Sequence, residues 1–302
     1  MNCCKEKPII VLSGNEKLCK KHFIEYFENK VLKTIRQFDL IGKKENLGIA
    51  ISGGKDSLTL LYILNKLSKQ NQKIKLTAIL IDEGIKGYRP NTIKTAKKFC
   101  SKNKIKLNIY SYEKEFGMPL DKMLKVLDVK PCTLCGIFRR YLLNKKSKEL
   151  NFTKLATGHN LDDECQSILM NQFKNNIRLS ARLGPKAGIK ENKGMVQRIK
   201  PLYLCSEKEV TTYAFINKLL DNLTECPYVS ESYRAQVRDI LNDFEAKFTG
   251  TKNSIANSFL QILPDLKIRF KDDDEVSYCK KCKEPAAKDI CNACKFVEKL
   301  KS

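Results

Sequence analysis

Six consecutive residues, Ser52-Gly53-Gly54-Lys55-Asp56-Ser57, bring two glycines, a lysine and two hydroxyls together. At a strand–helix junction such a stretch holds phosphate: glycine lets the backbone approach an anion, and the helix start offers free N–H groups and a positive dipole end. Lys55 adds charge, and Ser52 and Ser57 add donors. The spacing is not that of the kinase and GTPase phosphate loop. A plain glycine turn before a capped helix would account for Ser52-Gly53-Gly54 alone, but not for all six residues.

The 13 cysteines supply the second chemistry. Cys279-x-x-Cys282 and Cys291-x-x-Cys294 give four thiolates, the full tetrahedral set of a structural zinc ribbon. Cys132-x-x-Cys135 opens a helix, and Cys226 follows in Glu225-Cys226-Pro227-Tyr228. From the residues alone this group has three readings: a redox dithiol, part of a zinc site, or an iron–sulfur site. Zinc would want a fourth ligand, and none offers itself in similar context. Cys100, Cys165 and Cys205 have no partner at ligand spacing and read as small buried apolar residues.

Acids and bases cluster in Thr157-Gly158-His159-Asn160, followed by Asp162 and Asp163. Gly158 can bring its backbone against a nucleotide. For one of the two aspartates, dipole complementarity in a first helical turn is explanation enough. His159 reads as a residue that holds the loop by a hydrogen bond rather than as a general base.

Elements must position these groups. Short apolar runs at Leu47–Ile51, Leu76–Ile81, Ile105–Tyr110 and Lys154–Ala156 predict strands. Helical spacing marks Ser57–Leu67, Asn91–Asn103, Leu120–Leu127, Gly136–Leu150 and Leu161–Phe173. Strand–helix alternation implies an α/β fold with a doubly wound parallel sheet. Ligands in such sheets sit beyond the carboxyl ends of the strands. Ser52–Ser57, Asp82–Gly87 and Thr157–Asp163 all fall there.

Composition bounds the class. Fifty-seven Lys+Arg stand against 34 Asp+Glu in 302 residues, a formal net charge of +23. Residues 271–302 carry only +1 of it, so the excess lies in residues 1–270. Clustered cations favour a polyanionic partner through counterion release, although a lysine-rich solvated surface gives the same sum. No apolar run reaches a membrane span, and no signal-peptide core follows Met1, so a cytoplasmic protein without membrane contact is expected.

Ser52–Ser57 resembles the PP-loop of the ATP-pyrophosphatase superfamily, whose members cleave ATP to AMP and pyrophosphate while adenylating a carbonyl oxygen. Asp82–Arg89 (DEGIKGYR), Pro131–Tyr141 (PCTLCGIFRRY), Ala156–Glu164 (ATGHNLDDE) and Glu225–Tyr228 (ECPY) are similar to motifs of one branch, the TtuA-type tRNA 2-thiolation enzymes. The resemblance covers nearly the whole chain. It implies a PP-loop domain flanked by N- and C-terminal zinc modules, with boundaries at 1–30, 31–222, 223–268 (a helical extension carrying the third cluster cysteine) and 269–302. It implies ATP with Mg2+ held by Ser52, Gly53, Gly54, Lys55, Asp56, Ser57, Asp82, Arg139, Gly158 and Asp163, with Lys55, Asp56, Arg139 and Asp163 in catalytic roles. Asp163 would handle the uridine N3 proton and Arg139 would contact phosphate. Arg140 beside it could reach phosphate or tRNA.

For Cys132, Cys135 and Cys226 the resemblance implies a [4Fe-4S] cluster with one iron open to exogenous sulfide. The alternative is a tRNA thiolase, of uridine or cytidine, that works by a persulfide relay through the same cysteines, without a catalytic cluster. Cys19-x-x-His22 matches half of the family's first zinc module, whose other half is normally CxxC; here it is adjacent Cys3-Cys4, so that site is expected from Cys3, Cys4, Cys19 and His22. The implied activity is a tRNA-uridine 2-sulfurtransferase. Its partners would be tRNA, a sulfur donor (free sulfide or a thiocarboxylated ubiquitin-like carrier) and a second copy of the chain.

Overall fold

The computed structural model describes residues 4–190, 194–220, 225–229, 232–271 and 277–301. It opens on a small antiparallel hairpin, β1 (Ile10–Val11) and β2 (Lys17–Leu18), that leads into α1 (Lys20–Gln37). The central domain then alternates strand and helix: β3 (Glu45–Ile51), α2 (Lys55–Gln70), β4 (Ile74–Asp82), α3 (Arg89–Lys102), β5 (Lys106–Ser111), α4 (Tyr112–Phe116), α5 (Leu120–Val126), α6 (Pro131–Glu149), β6 (Lys154–Thr157), α7 (Leu161–Phe173), α8 (Ile177–Ser180), β7 (Gln197–Ile199) and α9 (Glu207–Ile216).

The five strands form one parallel sheet in the order β5-β4-β3-β6-β7. The chain starts in the middle, winds outward to β5, and returns to add β6 and β7 on the other side. Strand order therefore reverses between β3 and β6, the place where open α/β sheets form a ligand crevice. The four expected strands are present: β3, β4 and β6 are longer than expected by one to three residues, and β5 is shifted by one residue toward the C-terminus. β7 was not expected, because three residues reading Gln-Arg-Ile carry too little apolar pattern.

Successive side chains of a strand point to opposite faces, and β4 divides its apolar residues accordingly. Ala78 and Leu80 face a core with Phe23, Phe27 and Val31 of α1, Leu60 and Leu64 of α2, and Tyr213 of α9. Ile79 and Ile81 face a second core with Met123 of α5 and Leu134, Phe138 and Leu142 of α6. Two helices, α10 (Tyr233–Lys247) and α11 (Thr251–Arg269), pack against α7 through Leu161, Cys165, Val237, Leu241 and Ala256.

The tail forms a second hairpin, β8 (Ser277–Tyr278) and β9 (Pro285–Ala286), followed by α12 (Asn292–Lys299). It is docked on α6. Ala293 is buried with Phe138, and Glu284 accepts from Asn144 and Lys148 at 2.6 Å each. Among the described residues no helix is long and apolar enough to cross a membrane.

Candidate active site and metal centres

The Ser52–Ser57 stretch joins β3 to α2, as a phosphate cradle requires. Gly53 adopts φ +83°, and a Cβ there would stand 2.2 Å from the Thr92 carbonyl oxygen, so glycine is obligatory. The turn is braced internally: the Ser52 amide donates to Ser57 Oγ (3.1 Å), Ser57 Oγ to the Gly54 carbonyl (3.0 Å), and the Gly54 amide to Ser52 Oγ (3.2 Å). Gly158 supports it from the loop just after β6. A Cβ at Gly158 would lie 3.0 Å from the Asp56 carbonyl carbon and the Ser57 nitrogen. Its missing side chain thus serves close packing against the loop backbone, rather than only an approach by nucleotide.

Lys55 Nζ lies 3.1 Å from Asp56 Oδ2 and 2.8 Å from Glu207 Oε1, at the start of α9. Burial alone would lower the Lys55 pKa, but the two carboxylates outweigh it and raise it. Asp56 also accepts from Asn160 Nδ2 at 3.0 Å, which ties the loop to the start of α7. There Asn160 and Asp163 form a reciprocal cap: the Asp163 amide donates to Asn160 Oδ1 (3.0 Å), and the Asn160 amide to Asp163 Oδ2 (3.2 Å). Desolvation pushes the pKa of both Asp56 and Asp163 up, and the charge of Asp163 adds to the shift of Asp56. Arg234 of α10 stands 3.7 Å from Asp163 and donates to Gln166 and Ser167. Asp162 points away. It accepts from the Glu207 amide and pairs with buried Lys252, so it fastens α7 to α9 and α11. His159 Nδ1 lies 2.9 Å from Thr157 Oγ1, a contact that holds the loop.

A carboxylate that sequence reasoning did not single out organises the other side of the crevice. Glu83 is fully buried just after β4, between Arg89 and Arg139. One oxygen accepts from Arg89 Nε; the other lies 2.9 Å from Arg139 Nε, as an ion pair rather than an aligned hydrogen bond. Arg89 Nη1 also donates to the Ser52 carbonyl at 2.7 Å, and Arg139 Nη2 to Cys135 Sγ at 3.0 Å. Burial penalises the Glu83 charge, yet Arg139 and Arg89 outweigh it and lower its pKa. Glu83 and Arg89 lay in the Asp82–Arg89 motif; only the fold showed that they face each other. Arg139, expected to touch phosphate, is oriented here between Glu83 and Cys135. Asp82 Oδ1 accepts from the Gly84 amide (2.9 Å) and shapes the turn after β4.

Pro131 at the first position of α6 sets Cys132 and Cys135 in its opening turn. Cys135 is buried and Cys132 exposed, and burial raises both thiol pKa values, with Arg139 opposing. The Glu225–Tyr228 segment crosses above them. Cys132 Sγ is 3.6 Å from the Tyr228 carbonyl, and Tyr228 Oη donates to Asp121 at 2.9 Å. Cys226 faces the same space, half-buried among the residues packed on that core.

The terminal sets are tighter. The sulfurs of Cys279, Cys282, Cys291 and Cys294 all lie within 4.8 Å of one another, as do the ligand atoms of Cys4, Cys19 and His22. A tetrahedral zinc–thiolate site requires sulfur separations of about 3.8 Å. Cys282 and Cys291 are 3.7 Å apart. Burial raises the Cys279 thiol, but amides of Cys282, Cys291 and Lys281 pointing at its sulfur outweigh that and bring its pKa down to about 6. Both sets suit one metal ion. Cys3 lies outside the described residues. Cys132, Cys135 and Cys226 do not close to the spacing of a single ion. A four-iron cluster carries its ligand positions on the corners of a larger body, which three all-sulfur donors on two opposed segments fit.

A PP-loop domain model matches residues 24–238. A protein of Methanocaldococcus jannaschii named a probable sulfurtransferase is 39% identical over 294 residues, covering 95% of this chain and 84% of that protein. The chain belongs to the PP-loop tRNA 2-thiolation family. The tRNA-5-methyluridine(54) 2-sulfurtransferase of Pyrococcus horikoshii is 34% identical, covering 97% of this chain and 92% of its own. Among solved structures, the U34-tRNA thiolase NcsA from Methanococcus maripaludis, described with its [4Fe-4S] cluster, superposes with a TM-score of 0.84 at 33% identity, over 99% of this chain and 95% of that one. The family accounts for the order of the site's parts along the chain.

Proposed function

We propose that this chain is an ATP-dependent tRNA-uridine 2-sulfurtransferase. One observation carries the reading: an anion loop with adjacent carboxylates and a set of three cysteines share one crevice, joined through Arg89, Glu83 and Arg139. The Ser52–Ser57 loop and Lys55 hold the pyrophosphate part of ATP with its Mg2+. The uridine C2 oxygen attacks the α-phosphorus and pyrophosphate leaves. Asp163, whose carboxyl holds its proton more tightly than an ordinary aspartate, accepts the N3 proton as the ring charge shifts. Arg139, linked to the loop through Glu83 and Arg89, would steady the charge that builds on phosphorus.

Cys132, Cys135 and Cys226 would hold a [4Fe-4S] cluster, which supplies an iron without a protein ligand as a place for sulfide. Replacement of the activated oxygen by sulfur, with release of AMP, belongs on that face. Cys279, Cys282, Cys291 and Cys294 would hold a structural zinc, and Cys4, Cys19 and His22 would hold another, with Cys3, which lies outside the described residues, as the fourth ligand the sequence offers. The expected divisions at residues 30, 222 and 268 are kept as approximate, since α1 (Lys20–Gln37) runs through the first and α11 ends one residue past the last. We take the protein as a cytoplasmic homodimer, which sedimentation of the purified chain checks.

The deciding experiment incubates anaerobically purified, iron-loaded protein with ATP, sulfide and an unmodified tRNA transcript. AMP and 2-thiouridine in equal amounts are expected. Release of AMP with no thiolated nucleoside in the digested tRNA would overturn the reading, and mapping the product nucleoside distinguishes a U34 target from a U54 target.

A further inference from the structure

Two arginines beside the cysteine face stand together without a counter-charge. Arg140 follows Arg139 on α6, and Arg198 lies in β7, paired in register with Leu155 of β6. Arg198 Nη2 donates to the Arg140 carbonyl at 3.2 Å, so the β7 guanidinium rests on the α6 backbone one residue from Arg139. Neither guanidinium has a carboxylate partner among the described residues. The contrast is local, because Lys200, two residues on, is paired with Glu164 at 2.7 Å, and Arg139 with Glu83. Burial and the neighbouring guanidinium bring Arg198 down to about 10; burial and Arg139 lower Arg140. A fold that crowds two cations and leaves them unneutralised is storing affinity for an anion.

Location narrows which anion. The Arg140 guanidinium lies over Gly136, the residue after Cys135, where an added Cβ would stand 3.3 Å from its Nη1, and Arg198 sits in the strand beside β6, which runs directly into Gly158 and His159. The pair therefore flanks the space between the thiols and the Gly158–Asp163 loop, where the reacting base must enter. The nucleotide already has its own cradle in the Ser52–Ser57 loop, across the crevice. Guanidinium forks match the paired oxygens of a phosphodiester.

Resting on the tRNA-thiolation reading, we infer that Arg140 and Arg198 form a subsite for a backbone phosphate of the tRNA next to the uridine being modified. Each guanidinium then contributes one released counterion and a charge-assisted bond, and together they fix the strand while the base turns inward.

The test measures binding of an unmodified tRNA transcript by fluorescence anisotropy across a salt series, in the full-length metal-loaded protein. Arg140→Gln and Arg198→Gln are each expected to weaken binding about tenfold at moderate salt and to reduce the log–log salt slope by about 1. ATP affinity without tRNA stays within about twofold of wild type, and iron content is unchanged. Arg198→Lys keeps the charge and should recover the slope. Among the described residues the Arg140 side chain makes no hydrogen bond or ion pair, so Arg140→Gln remains informative if Arg198→Gln folds poorly. Lys69→Gln, at the far end of α2, is the control for net charge. Unchanged affinity and slope in Arg140→Gln, an equal loss in Lys69→Gln, or a loss of ATP affinity in place of tRNA affinity overturns the subsite. Wild-type protein that thiolates tRNA while these variants bind normally defeats the subsite alone; wild-type protein that binds no tRNA at any salt defeats the underlying function as well.

Discussion

Arg139 and Cys135 lie one helical turn apart on α6, and the guanidinium Nη2 donates to the Cys135 sulfur over 3.0 Å. The same guanidinium pairs with buried Glu83, which also holds Arg89, which in turn holds the Ser52 carbonyl. A continuous polar chain thus runs from the anion loop to the cysteine site.

Removing the centre of that chain should disturb both ends. Glu83→Gln leaves Arg89 buried without its counter-charge, a loss of about 3 kcal/mol. Because the Glu83 pKa is lowered in the fold, its stabilisation is present above the ordinary carboxylate range and lost as pH falls through the native value. The Tm gap between wild type and Glu83→Gln should therefore narrow in acid. A gap independent of pH across a series of melts would contradict the ion-pair account.

Asp163 has the opposite sign. Its folded pKa is raised, so between the ordinary value and the raised one the native state binds the extra proton, and stability falls as pH rises through that window. At neutral pH the charged carboxylate is a burden that the fold tolerates. Asp163→Asn keeps an oxygen to accept from the Asn160 amide, so Tm at neutral pH should rise by roughly 2 °C while thiolation is lost. Wild-type activity should increase with pH through a value above that of a free aspartate. A destabilised, active Asp163→Asn would remove Asp163 from its assigned role.

Lys55→Ala should abolish tRNA-dependent pyrophosphate release and leave iron and zinc content as in wild type. Among the described residues Lys55 pairs with Asp56 and Glu207 and with no cysteine. Near-normal turnover, followed by pyrophosphate detection, would displace the nucleotide from this loop.

Single alanine replacements at Cys132, Cys135 or Cys226 should remove most of the iron and the thiolation, with ATP affinity retained. Asp121→Ala should lower iron content partially, because Tyr228 then loses the anchor that keeps the Cys226 segment over Cys132. Chemical iron and sulfide analysis of anaerobic preparations gives the answer. Full activity of iron-free protein with a persulfide donor would favour a sulfur relay through these cysteines.

Zinc removal from the tail should reach further than 30 residues. Cys291→Ser should lower Tm and loosen α6, since α12 packs Phe296 on Phe138 at 6.4 Å and Glu284 braces Asn144 and Lys148. Hydrogen exchange confined to the tail alone would contradict this coupling.

What the sequence determined by itself is what local patterns encode. Ser52–Ser57 needs glycine geometry and a helix start within six residues. CxxC pairs put two thiols on one turn, and short apolar runs alternating with helical spacing dictate a parallel sheet. Tertiary structure alone decided which distant groups meet. Glu83 and Arg139 are 56 positions apart, and Cys132 and Tyr228 are 96 apart, and no periodicity couples them. Gly158 is glycine because the loop after β6 presses on the backbone of Asp56 and Ser57, a contact between segments a hundred residues apart. Of two adjacent aspartates, Asp163 faces the crevice and Asp162 turns to Lys252, because neighbouring residues of a helix point about 100° apart and only the packing of α11 against α7 sets which one is buried.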